Sequence, residues 1–82
     1  MSAADFQATA DKVRTMSPPS QEDQLELYSL YKQATVGDCN TAAPGALDVK
    51  GKAKWSAWNG KKGMSQDDAK QKYVTKAKSL GV

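Results

Sequence analysis

The stretch LELYSLYKQATVGD, residues 25–38, decides the fold and does not read as an ordinary surface helix. At about 100° per residue, Leu27, Leu30 and Ala34 fall on one side of a helix. The opposite stripe mixes an aliphatic group, a phenol, a hydroxyl and an amine: Leu25, Tyr28, Ser29 and Lys32. A surface helix of a small domain normally has a single apolar stripe. The second stripe therefore predicts a ligand that is partly apolar and partly anionic.

The residues before this stretch predict a first helix over residues 2–16. Ser2 is placed to cap it, with Asp5 three residues further on. Pro18 and Pro19 then end the helix. Its apolar face recurs at the spacing of one helical stripe: Phe6, Ala10 and Val13.

The second helix is predicted to begin after Ser20 and to extend to about Val36. Gly37 is placed to adopt the left-handed conformation that ends many helices. The following segment DCNTAAPGAL, residues 38–47, shows neither a helical nor an alternating pattern. We expect it to form a long loop.

Two more helices follow this loop. The third is predicted from Val49 or Lys50 to Asn59, with Asp48 as its cap. Ser65 is placed to cap the fourth, whose inner stripe repeats at helical spacing: Ala69, Tyr73, Ala77 and Leu80, with Val74 beside it. Four helices and no convincing strand predict an all-α bundle, forming one domain over residues 1–82.

Size and charge restrict the kind of site. A chain of 82 residues buries only about 60% of its unfolded surface, so we expect an open groove rather than a deep cavity. Twelve basic side chains against nine acidic ones favour an anionic partner. Because most acids are expected in first turns of helices, the unpaired positive charge is left to residues 50–62.

Catalytic chemistry is poorly represented. The chain has no histidine, which excludes histidine triads and histidine metal sites, and no phosphate-binding loop. Its single cysteine, Cys39, cannot form an intrachain disulfide and has no evident base nearby, so we expect a buried or half-buried loop residue in a reducing compartment. We predict no enzyme, no catalytic residue and no metal site. Since no signal peptide or membrane-spanning run is evident, we expect a cytoplasmic protein.

What remains is a set of lysine and tyrosine side chains suited to binding. Lysines supply point charges for phosphate, and tyrosines supply a flat face for a base together with a hydroxyl donor. Such a set suits a phosphorylated nucleotide. Its members are Tyr28, Tyr31, Lys32, Lys50, Lys54 and Tyr73, with Arg14 as an addition.

Structural roles compete with this interpretation. Tyr73 lies on the inner stripe of its helix, which favours a core position. Lys50 and Lys54 fit a solvated rim. Trp55 and Trp58 are expected in the core, because small domains rely on large aromatic side chains for burial.

Three segments closely resemble the acyl-CoA-binding proteins: YKQATVGD at 31–38, the Pro44-Gly45 pair and KGKAKWSAWN at 50–59. The resemblance covers essentially the whole chain. It implies an up-down-down-up four-helix bundle that binds medium- and long-chain acyl-CoA thioesters one to one. It also implies a monomer that performs no chemistry and needs no cofactor.

The resemblance further implies roles for single residues. Tyr28, Lys32 and Lys54 would meet the adenosine 3′-phosphate. Tyr31 would meet the adenine region, and Tyr73 would contact the CoA moiety from the opposite wall.

The remaining site residues also follow from the resemblance. Lys50 matches another ligand-contacting position, and Arg14 stands where many members have lysine and would contact the CoA phosphates. The acyl groove would be lined by Ala10, Gln21, Gln24, Leu25 and Ser29. The sequence departs from the family at Gln24, where some relatives have methionine, which makes that part of the groove more polar.

Two functions follow from different readings of the positive charge. In the first, the protein carries acyl-CoA to lipid metabolism, with transient contact to lipid-metabolising enzymes or membranes and no nucleic acid as partner. In the second, a small basic helical module binds nucleic acid or an acidic protein surface, supported by the lysines of residues 50–62. The second predicts binding that weakens steeply with salt.

Overall fold

The structure, a computed structural model, describes the backbone of residues 3–82 and the side chains of residues 5–82. Within that range the regular structure is entirely helical: α1 (Ala3–Thr15), α2 (Gln21–Thr35), α3 (Val49–Asn59) and α4 (Gln66–Ser79). The predicted all-α fold, with a long loop between the second and third helices, is confirmed. None of these described helices is long and apolar enough to cross a membrane.

The helix boundaries follow from local hydrogen bonding. The predicted caps each accept a hydrogen bond from the backbone N–H three residues further on: Ser20 before α2, Asp48 before α3 and Ser65 before α4. Ser2, the predicted cap of α1, lies outside the described residues. Gly37 follows α2 with a φ of 97°, the left-handed conformation that was expected there.

Side-chain contacts fix the direction of α4 against α2. Near the start of α2, Asp23 forms an ion pair with Lys76 from the end of α4. Near the end of α2, Gln33 donates a hydrogen bond to the carbonyl oxygen of Met64, just before α4. The two helices therefore run antiparallel.

The pair α2 and α3, by contrast, runs parallel. Lys54 lies over the ring of Tyr28, and one turn further along both helices Lys32 lies over the ring of Trp58. Phe6 near the start of α1 packs against Tyr31 near the end of α2, so α1 runs antiparallel to α2 and points the same way as α4. The up-down-down-up arrangement is confirmed.

The core lies where α1, α2 and α4 meet. Leu27, Leu30 and Ala34 are buried there, as the wheel of the second helix predicts. The rest of the buried cluster comes from the inner faces of α1 and α4: Phe6, Ala10, Ala69, Tyr73, Val74 and Ala77.

The two tryptophans differ. Trp58 is buried, as expected, and its indole N–H donates a hydrogen bond to the carbonyl oxygen of Gly37. The prediction of a core position is wrong for Trp55, which is only half-buried. Its indole N–H donates to the carbonyl oxygen of Thr41 at 2.8 Å and thereby holds the long loop against α3.

The four helices form a flat body. Its Cα atoms extend 35 × 27 × 15 Å, and the shortest dimension corresponds to about two packed layers of helices. Such a shape offers grooves between neighbouring helices at its surface.

Candidate functional site

One hollow of about 390 Å³ opens between α1, α2 and α4. Tyr31 from α2 and Tyr73 from α4 line it, and behind them Phe6 packs against both rings at centroid distances of 5.7 and 5.2 Å. Such offset and edge-on aromatic contacts stabilise the arrangement of the rings. Arg14 lines the same hollow from the end of α1. This hollow therefore combines rigid aromatic walls with one guanidinium group.

A second hollow of about 550 Å³ lies between the first halves of α2 and α3. Leu25 and Ala53 give it an apolar part, while Lys50 and Lys54 supply two ammonium groups. Its volume falls within the range of small-molecule sites in proteins. The remaining lining side chains are polar or aromatic: Gln21, Gln24 and Tyr28.

The two hollows adjoin one another. Gln24 and Tyr28, one turn apart on α2, line both of them. The side-chain amide of Gln24 donates a hydrogen bond to the carbonyl oxygen of Pro19 at 2.8 Å, which fixes the side chain at this boundary. A single ligand can therefore contact α1, α2, α3 and α4 at once.

The lysines on α2 and α3 are held over aromatic rings. The Nζ atom of Lys54 lies 5.5 Å from the centroid of the Tyr28 ring, and that of Lys32 lies 4.9 Å from a ring of Trp58. Both distances fit cation–π attraction. Because α2 and α3 run parallel, these two cations follow one another along the helix pair, with Lys32 one turn beyond the second hollow.

Two of the three carboxylates on α2 are engaged on the side away from the hollows. Glu26 forms an ion pair with Lys61 at 2.7 Å, and Asp23 forms one with Lys76 at 2.6 Å. In the part of the chain whose side chains are described, no ion pair involves the basic residues of the site: Arg14, Lys32, Lys50 and Lys54. Their charge is available to an anionic ligand.

Tyr73 keeps its proton under ordinary conditions. Burial raises the pKa of its phenol, the nearby Tyr31 raises it further, and Arg14 partly opposes the shift. The hydroxyl is therefore a neutral hydrogen-bonding group rather than a nucleophile. Among residues 5–82, no three Cys, Asp or Glu side chains converge as metal ligands would.

The structure brings most of the predicted site residues together on the two hollows. These are Ala10, Arg14, Gln21, Gln24, Leu25, Tyr28, Tyr31, Lys50, Lys54 and Tyr73. Lys32 lines neither hollow but stands one turn beyond Tyr28 on the same helix. Tyr73 lies in the core, since it is 4% exposed, and it still borders the first hollow.

Ser29 requires a correction. It was expected on the ligand-facing stripe and in the acyl groove, but it is fully buried and lines neither hollow. Its hydroxyl donates to the carbonyl oxygen of Glu26 at 2.9 Å. The Ser29 side chain lies about 100° around the helix from Tyr28 and therefore points toward the interior. Its hydroxyl is satisfied by this hydrogen bond within its own helix.

Several lining residues were not predicted from the sequence. Val13 and Leu27 belong to stripes that were assigned to the core alone. Ala53 lies about 60° from Lys50 on the helical wheel, so its position was deducible. The other missed positions belong to the irregular connection between α1 and α2, which has no periodicity: Met16, Pro18 and Pro19.

Comparison with known proteins is consistent with this geometry. Residues 3–77 match the family described as "Acyl CoA binding protein". The chain is 54% identical over 76 residues to a "Putative acyl-CoA-binding protein" of a Hypsibius species, covering 92% of this chain and 85% of that relative. It is 51% identical over 81 residues to the "Acyl-CoA-binding protein homolog" of Drosophila melanogaster, covering 98% and 94%.

The fold is similar to that of solved structures as well. The crystal structure of Oryza sativa Acyl-CoA-Binding Protein 2 superposes with a TM-score of 0.91 at 44% identity, covering 94% of this chain and 85% of that one. Identity at this level over nearly the whole chain, together with the same four-helix arrangement, goes beyond a shared fold. The chain belongs to the acyl-CoA-binding protein family.

Proposed function

We propose that the protein binds one medium- or long-chain acyl-CoA thioester per chain, without catalysis and without a cofactor. The observation that carries this proposal is the parallel packing of α2 and α3. It brings the apolar Leu25 and Ala53 together with the ammonium groups of Lys50 and Lys54 in the second hollow, and it places Lys32 one turn beyond Tyr28. A ligand with a long hydrocarbon tail and a phosphorylated head needs both kinds of contact.

The energetics divide between the two parts of the ligand. Each CH₂ group removed from water contributes about 0.8 kcal/mol, so a tail of a dozen carbons can supply most of the affinity. The phosphates gain charge-assisted hydrogen bonds from the lysines and from Arg14, which fix the orientation of the ligand. The aromatic wall at Tyr31 and Tyr73 provides rigid surface for the adenine or pantetheine portion.

In the cell, such a protein would act in the cytoplasm as a monomeric carrier and buffer of acyl-CoA. It would release the thioester to lipid-metabolising enzymes or to membranes through transient contacts. The shallow, open form of both hollows supports ready loading and release.

Calorimetric titration tests the proposal. A saturated acyl-CoA with a tail of about 16 carbons should bind tightly at a ratio of one to one, and its affinity should fall with each CH₂ removed. Coenzyme A alone and the free fatty acid should both bind far more weakly. Equal affinity for the free fatty acid would contradict the proposal, because the lysines would then have no role.

The same titration separates this function from nucleic-acid binding. A basic module that binds nucleic acid loses affinity steeply as salt increases, and a short single- or double-stranded oligonucleotide would compete with the acyl-CoA. We expect no such competition, because Lys54 and Lys32 are oriented over Tyr28 and Trp58 in the groove.

A further inference from the structure

Two large apolar side chains stand in solvent next to the second hollow. Leu47 is 99% exposed and Val49 is 74% exposed. They lie three residues and one residue before Lys50, which lines that hollow. Single exposed apolar residues are common, but two together beside the apolar part of a groove indicate an interaction surface.

Hydrogen bonds hold these side chains outward. The backbone N–H of Asp48 donates to the carbonyl oxygen of Gly45 at 3.0 Å, and the Asp48 carboxylate accepts from the backbone N–H of Gly51 at 3.0 Å. A Cβ atom at Gly51 would collide with that carboxylate, so the close approach depends on glycine. Leu47 and Val49 flank this fixed turn, which directs them away from the core.

Lysine side chains lie close to the two apolar side chains in the sequence. Lys52 is exposed and lies within about 60° of Val49 on the helical wheel, while Lys50 and Lys54 are directed to the groove. The acid within this segment, Asp48, is already engaged as the cap of α3. An apolar tip with ammonium groups around it is complementary to an anionic lipid surface, where the apolar groups enter the acyl boundary and the cations stay among the headgroups.

We propose that Leu47, Val49 and Lys52, here called the 47–52 tip, dock the protein on an anionic lipid bilayer. The inference rests on the proposed function, because it explains how the ligand would leave. Leu25 and Ala53 place the apolar part of the groove at the same end of the molecule as the tip. Docking would bring the tail of a bound thioester to the bilayer without passage through bulk water.

The contact would be weak and reversible. Two aliphatic side chains and a few lysines bury far less apolar surface than a single acyl anchor, which itself gives only marginal membrane binding. A carrier that must leave the membrane again requires such a weak contact.

Vesicle sedimentation with the ligand-free protein tests the proposal. The wild type should partition onto phosphatidylcholine vesicles that contain about 30% phosphatidylserine, and much less onto pure phosphatidylcholine. The double variant Leu47→Ser/Val49→Ser should bind the anionic vesicles about tenfold more weakly or worse. Lys52→Gln should bind about fivefold more weakly. Leu47→Ser alone, which leaves the start of α3 intact, should show an intermediate loss.

Matched controls lie on other surfaces. Val36 is an exposed aliphatic residue at the far end of α2, and Lys72 is an exposed lysine on α4. The variants Val36→Ser and Lys72→Gln should partition as the wild type does. Acyl-CoA affinity in vesicle-free buffer should be the same for every variant, because none of these side chains lines either hollow.

The outcomes are distinct. The proposal is overturned if the wild type does not bind anionic vesicles or if the double variant binds them as well as the wild type. It is also overturned if sedimentation velocity shows a dimer that the double variant loses, since the tip would then contact a second copy. If the wild type binds vesicles but no acyl-CoA in vesicle-free buffer, the proposed function fails while the docking surface stands.

Discussion

The side-chain amide of Gln24 is hydrogen-bonded to the carbonyl oxygen of Pro19 at 2.8 Å, on the boundary between the two hollows. A polar group is thereby fixed on a path that an acyl tail would follow from one hollow to the other. When the tail packs against this amide, its hydrogen bond to Pro19 is either kept or broken. Both outcomes limit the affinity for long tails, because a polar amide is then buried against hydrocarbon.

Replacing this side chain should therefore change the chain-length preference. We expect Gln24→Met to bind a long-chain acyl-CoA more tightly by roughly 1 kcal/mol, because the thioether adds apolar contact and removes the polar amide. Calorimetric titration across a series of tail lengths measures the effect. Coenzyme A alone should bind as before. Gln7→Met, on the exposed face of α1, is the control and should leave every affinity unchanged. An equal gain for coenzyme A would contradict the prediction.

Lys54 and Lys52 separate the effect of position from that of net charge. Lys54 lines the second hollow and lies over Tyr28, whereas Lys52 lies on the outer face of α3. We expect Lys54→Ala to weaken acyl-CoA binding by about 1–3 kcal/mol, the scale of a lost charge-assisted hydrogen bond. Lys52→Ala, with the same loss of net charge, should change the affinity in solution very little. Equal losses would mean that overall charge, rather than position, determines binding.

The position of Lys32 over Trp58 gives a spectroscopic prediction. In a Trp55→Phe background, Trp58 is the remaining tryptophan, and its emission should change when a ligand phosphate attracts the ammonium group 4.9 Å from its ring. Adding Lys32→Ala should reduce the emission change at saturating acyl-CoA. An unchanged amplitude would indicate that Lys32 does not meet the ligand.

Asp38 connects the end of α2 to the turn before α4, and its acid–base behaviour can be tested. Its carboxylate accepts hydrogen bonds from the backbone N–H of Gly63 and the side-chain amide of Gln33, both at 2.9 Å. Both bonds hold the pKa of Asp38 below its ordinary value of 3.8, and the bond from Gly63 has the larger effect. The carboxylate therefore contributes stability above about pH 3.8, and the contribution is lost as pH falls through the lower folded-state pKa.

We expect Asp38→Asn to lower the Tm at neutral pH and to make the fall of Tm between pH 7 and 3 shallower than in the wild type. Thermal unfolding followed by circular dichroism at a series of pH values measures both. Some acid sensitivity should remain, because the hydrogen bond from Lys76 also lowers the pKa of Asp23. Asp11→Asn, on the exposed face of α1, should retain the wild-type difference in Tm between pH 7 and pH 3.

Periodicity and capping residues were enough to predict the helices. Ser20, Asp48 and Ser65 stand where the caps were expected, because a short polar side chain before an apolar period has few other uses. The direction of each helix was not available from the residues themselves. The sequence of a single helix does not indicate whether α3 runs parallel or antiparallel to α2. The resemblance to a known family predicted that arrangement.

The site was predicted less evenly than the fold. Lys32 beside Leu25 and Tyr28 on the second stripe was identifiable, because an apolar core does not use a charged lysine. Ser29 was misplaced, since a wheel gives the angle of a side chain but not the distance to the neighbouring helix that covers it. Met16 and Pro18 were missed because irregular backbone has no period from which a facing direction can be deduced.

The packed rings of Phe6, Tyr31 and Tyr73 have a consequence for anyone who redesigns this protein. Tyr31 and Tyr73 line the first hollow while they pack against Phe6 in the interior, so selectivity cannot be altered there without a change in melting behaviour. The lysines at the rim do not have both of these roles. A sensor or scavenger for a ligand with a different phosphorylated head group is therefore best designed by substituting the rim residues first and leaving the three rings unchanged.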